Sequence, residues 1–86
     1  MTFYEVFWID CYKGEPHLGF LYERCISTFE AFKQIRFLYD QGKAACAWIR
    51  KENSFNNRQE IIYMATFVDN FGNRELHEKC YGSYAK

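Results

Sequence analysis

Eighty-six residues, 49% of them hydrophobic and 21% aromatic, predict a single domain over residues 1–86 that has enough apolar material for a core of its own. Eleven basic side chains balance eleven acidic ones, so the chain lacks the basic excess of a dedicated nucleic-acid binder. No stretch approaches the roughly 20 apolar residues of a membrane span, and no charged N-terminal segment leads into an apolar run, so the expectation is a cytoplasmic chain with its four cysteines reduced.

Residues 2–13 are rich in aromatic and β-branched types, lack Gly and Pro, and read as a strand. A turn at Lys13-Gly14-Glu15-Pro16-His17 leads into a second strand over 18–26, giving an antiparallel hairpin. Ser27-Thr28-Phe29-Glu30 fits a capping box, in which Ser27 accepts from the N3 amide. Behind it, Phe29, Phe32, Ile35, Leu38 and Tyr39 form one apolar stripe at helical spacing, and Gly42 is the natural stop for a helix over 28–41. Residues 44–51 read as a third strand, 52–57 as a polar loop and 60–69 as a strong fourth strand. After a turn at 70–73, residues 74–81 form a more polar strand suited to a sheet edge, and the tail 82–86 is expected to fray.

The resulting order is ββαβββ: an α+β domain in two layers, one helix packed on a mainly antiparallel sheet. A β-grasp-like sheet has a similar element order. One helix covers one face of such a sheet, yet the first strand is apolar on both. Phe3, Phe7 and Ile9 alternate with Tyr4, Val6, Trp8 and Tyr12, and strands apolar on two sides normally have two covered faces. The even face is the more amphipathic, because Tyr and Trp join an apolar body to a polar tip. It offers Tyr4, Trp8 and Tyr12, joined by Tyr22 and Trp48, as partner-binding residues. The basic hairpin over 43–58 adds Arg50, Lys51 and Arg58.

Reactive constellations are sparse. The single close pair of metal-ligand types, His77-x-x-Cys80, falls on a strand where positions three apart point to opposite faces, so no metal or other cofactor is expected. Cys25, just before the helix, is the best-placed thiol, but its apolar neighbours would raise its pKa. His17 and His77 are not brought together by any local pattern, and the five glycines stand alone rather than in a phosphate loop. Leu18-Gly19-Phe20-Leu21-Tyr22 is similar to the Gly-aromatic core of an RNA-recognition strand, but that fold needs two helices and this chain has one.

These features predict a small non-enzymatic protein–protein interaction module that occludes a partner surface, with the general appearance of inhibitors encoded by phages and plasmids. The partner is another protein or a second copy of the chain. A single-stranded nucleic-acid binder, using the same aromatics plus the basic hairpin, is the alternative.

Overall fold

A computed structural model describes residues 1–9, 11–12, 15–16, 20–42, 44–68 and 73–84. The expected turns at 13–17 and 70–73, with His17, lie largely or wholly outside them. The elements run β1 (Thr2–Ile9), β2 (Cys11–Tyr12), β3 (Glu15–Pro16), β4 (Phe20–Cys25), α1 (Thr28–Gln41), β5 (Cys46–Asn53), β6 (Arg58–Val68) and β7 (Arg74–Cys80). Five of the strands form one sheet in the order β4-β1-β5-β6-β7, every neighbouring pair antiparallel, and α1 packs on one side of it. The parallel central pair of a β-grasp sheet is not among these pairings.

The first strand is shorter than its composition suggests. Ile9 pairs with Cys46, the first residue of β5, so the main sheet ends there on that side, and Cys11–Tyr12 pairs instead with Glu15–Pro16 in a separate two-stranded ribbon. The β5–β6 hairpin closes more tightly than expected, around residues 54–57. Asn53 and Asn56 each accept a backbone N–H two residues on, from Phe55 and Arg58, and Asn57 takes the left-handed conformation at φ 54. Asn tolerates that region and makes such local turns readily.

The helix spans 28–41 as its caps dictate. Ser27 Oγ accepts from the Glu30 amide at 3.2 Å, and Gly42 ends the helix at φ 71 with its N–H on the Tyr39 carbonyl. The buried residues of α1 are Ala31, Ile35 and Leu38, flanked by half-buried Phe32 and Tyr39. Phe29 departs from the expected stripe and is 77% exposed. At 3.6 residues per turn it lies about 120° from the centre of the buried face, which passes through Ile35. No basic residue occupies the last turn of α1. Arg74 of β7 takes that role from outside, donating to the carbonyls of Tyr39 and Ala44 while lying over the Tyr39 and Phe67 rings.

The core lies between α1 and the sheet. Phe32 and Tyr39 meet Tyr63 and Phe67 edge-on, with centroids 4.6 and 5.5 Å apart. Val6, Ala47, Ile49 and Ala65 fill the space between and are fully buried. β7 is an edge strand, and Leu76 alone of its residues is half-buried. Within the tail expected to fray, Gly82–Tyr84 forms a short 3₁₀ turn on β6. A side chain at Gly82 would need φ 59 and would meet the Glu60 carboxylate at 2.5 Å, so glycine suits this turn.

Candidate sheet-face docking site

Register assigns each strand residue to a side. Val6 pairs with Ile49 and Ile49 with Tyr63, which touches Phe32 of the helix. Even positions of β1 therefore face α1, and Phe3, Glu5, Phe7 and Ile9 face away. On β5 the outward set is Cys46, Trp48, Arg50 and Glu52. A bulge between Ile49 and Arg50 leaves Ile62 unpaired, so β6 presents Gln59, Ile61, Met64 and Thr66. No described element covers this second face.

Its centre is aromatic and charged at once. Phe7 and Trp48 are direct cross-strand partners, stacked at 5.5 Å with planes 8° apart. One step along, Arg24, Glu5 and Arg50 form a row across β4, β1 and β5. Arg24 Nη2 donates to Glu5 Oε2 at 2.9 Å and Arg50 Nη2 to Oε1 at 3.0 Å. Arg24 also lies 5.3 Å from the Phe3 centroid and Arg50 lies 4.6 Å from that of Phe7. Glu5 is 1% exposed. Burial works to raise its pKa, but the hydrogen bonds from Arg24 and Arg50 outweigh it and hold the carboxyl below the usual range.

The expected partner-binding residues divide between the two faces. Trp48 and Arg50 lie on the open one. Tyr4 and Trp8 lie on the helix side, packed against the core. Tyr4 there is hydrogen-bonded to Tyr84, whose pKa is pushed up to about 12 by that bond and by burial. Tyr12 and Tyr22 are placed by backbone alone, in β2 and β4. The basic hairpin splits likewise. Lys51 and Arg58 line a polar recess with Asn53, Asn56 and Glu60 on the helix side, Lys51 Nζ lying 5.8 Å from the Tyr84 ring. Arg50 is held by Glu5 on the opposite face.

Sequence reading passed over Phe3, Glu5, Phe7 and Arg24. The odd-numbered apolar set of β1 was visible but indistinguishable from a core face. Glu5 carries no local signal, because its partners lie 19 and 45 residues away.

Conventional reactive sites are not assembled among the described residues. No three His, Cys, Asp or Glu side chains converge as metal ligands. Cys25 is buried, and desolvation together with Glu23 and Glu30 holds its thiol up, away from the thiolate a nucleophile needs. His77 lies 3.4 Å from Glu75 at the exposed edge. No described helix is long and apolar enough to cross a membrane. Comparison of the chain with protein-family models, curated proteins and solved structures finds no match.

Proposed function

We propose that this chain is a small non-enzymatic protein-binding module that docks through the sheet face opposite α1 and occludes the surface it covers. The observation that carries the reading is the outward apolar set Phe3, Phe7, Ile9, Trp48, Ile61 and Met64, gathered on three neighbouring strands with no described element over it. A face of aromatics, Met and Arg with charged groups toward its rim has the composition of a protein interface. Here Glu52 and Lys79 form part of that rim, with Glu75 beside His77. Mixed charge favours a protein over a polyanion, whose phosphates require a run of unpaired cations. Blocking a partner in this way is the action expected of a phage- or plasmid-type inhibitor, and the compartment in which it acts is taken to be the cytoplasm.

Single-stranded nucleic acid is the second reading, favoured by one feature: the stacked Phe7–Trp48 pair beside Arg50 is a platform of the kind bases lie on.

Affinity capture from lysate of the source organism, run with and without nuclease, tests the proposal when the parent is compared with a Phe7→Ser, Trp48→Ser double variant. A stoichiometric protein that survives nuclease and is lost with the variant is the expected result. Capture abolished by nuclease would transfer the face to nucleic acid. A concentration-dependent dimer of the parent, absent in the variant, would make a second copy the partner.

A further inference from the structure

The open face contains something that apolar docking does not require: a carboxylate removed from water at its centre. Arg24 brings Nε and Nη2 to Glu5 Oε2 at 3.3 and 2.9 Å, and Arg50 brings Nε and Nη2 to Oε1 at 3.3 and 3.0 Å. Each guanidinium thus uses one edge of its planar fork, and Nη1 of neither is bonded to a described group. A guanidinium offers five N–H donors in fixed directions, so the Nη1–Nη2 edge of each remains for a further acceptor. The aromatic rings fix the arginines from a second direction, Arg24 over Phe3 and Arg50 over Phe7. The Glu5 side chain is 2% exposed, whereas Arg24 and Arg50 are 53% and 30% exposed. The cations reach solvent and the anion does not. Glu52 also reaches Glu5 from β5, so the cluster is balanced in charge, and what it offers a partner is the unused fork edges of the two arginines, set among apolar rings.

We propose that Arg24 and Arg50 form a carboxylate seat within the docking face, and that the partner is a protein segment placing an Asp or Glu side chain on their free edges and neighbouring apolar side chains on Phe3, Phe7 and Trp48. The inference rests on the protein-binding reading above. Glu5 is the positioning residue: it orients both guanidiniums before the partner arrives, which lowers the ordering cost of binding. Charge-assisted, two-pronged hydrogen bonds of this type are among the stronger polar contacts. A phosphate strand fits less well. It needs a line of unpaired cations, whereas both arginines of this seat are paired with Glu5, and Glu52 on β5 and Glu75 beside His77 are acidic neighbours.

The test is to pan a random linear peptide library displayed on phage against the folded protein at physiological salt. The best-binding peptide is then resynthesised with its acidic residue replaced by the amide. The expected outcome is a selected set in which Asp or Glu adjoins aromatic or aliphatic residues, and a roughly 10- to 100-fold loss of affinity on the amide swap. An R24K/R50K variant keeps both charges beside Glu5 but lacks the fork, and it should bind parent and amide peptides alike. Should that variant not fold, the amide swap on the unaltered protein still decides. Peptides without acidic residues whose binding is lost in Trp48→Ser would overturn the carboxylate seat and leave the protein-binding reading standing. Binding of no peptide would overturn both, and salt-sensitive binding of a short oligothymidylate would then assign the face to nucleic acid.

Discussion

Glu5 and Arg50 face each other directly across β1 and β5, and Arg50 Nη2 donates to Glu5 Oε1 at 3.0 Å while Arg24 holds the second oxygen from the other side. The carboxylate is buried although it sits on the face that the helix leaves open. A buried ion is tolerated only while its partners remain, so loss of one partner is costly. Arg50→Met should destabilise the fold by about 3 kcal/mol, the lower end for a broken buried pair because Arg24 is retained. Glu5→Gln should cost less, since both arginines reach water. Urea melts of the two variants check the order.

The same row predicts a response to acid. Glu5 has a folded pKa below its unfolded one. Its stabilisation is therefore complete above the unfolded carboxyl pKa of about 4.3 and disappears as pH falls through the folded value. The melting temperature of the parent should exceed that of Glu5→Gln near neutrality, and the gap should shrink toward about pH 3. A gap that stays constant over that range would mean that Glu5 is not held ionised by the arginines.

Tyr63 predicts the opposite limb. Its hydroxyl donates to Glu78 Oε1 at 2.6 Å, and burial, reinforced by the adjacent Glu78 charge, pushes its pKa well above the ordinary tyrosine range. A raised pKa contributes stability that is complete below the unfolded value of about 10 and is lost as pH rises beyond it. Tyr63→Phe should cost about 1.5 kcal/mol at neutral pH, the lower end for a bond to a charged group because Glu78 is exposed. It should also flatten the alkaline fall in stability, read by melts at increasing pH.

The helix gives a three-way comparison. Ser27→Ala should cost about 1 kcal/mol through the lost cap. Ile35→Ala, in the buried face, should cost about 2–5 kcal/mol. Phe29→Ala, 77% exposed, should stay within about 0.5 kcal/mol of the parent. Chemical denaturation of the three separates them, and a large loss at Phe29 would mean that another face of α1 meets the sheet.

On the open face, Phe7 and Trp48 should be coupled but not structurally decisive. A double-mutant cycle with alanine at both should give about 0.5–1.5 kcal/mol of interaction for the stacked pair. Phe67→Ala, fully buried under Tyr39, should cost about 3–5 kcal/mol on its own.

Local chemistry determined much of this architecture by itself. The Ser27 cap and the Gly42 stop define α1 because each acts within one turn of the chain. The ββαβββ order and the edge character of β7 likewise follow from neighbouring residues. Tertiary structure decided which face of β1 the helix takes, because Phe3, Phe7 and Ile9 are as apolar as Tyr4, Val6 and Trp8. The choice depends on strands distant in sequence. Pairing aligns Val6 and Trp8 with Ile49 and Ala47, and then with Tyr63 and Ala65, so small residues lie where α1 must approach closely. The other face carries Trp48 and Met64, too bulky for that bed. Tertiary structure alone also joined Glu5 to Arg24 and Arg50, because a cross-strand row forms only after three strands have found their register, and no spacing in the chain encodes that meeting.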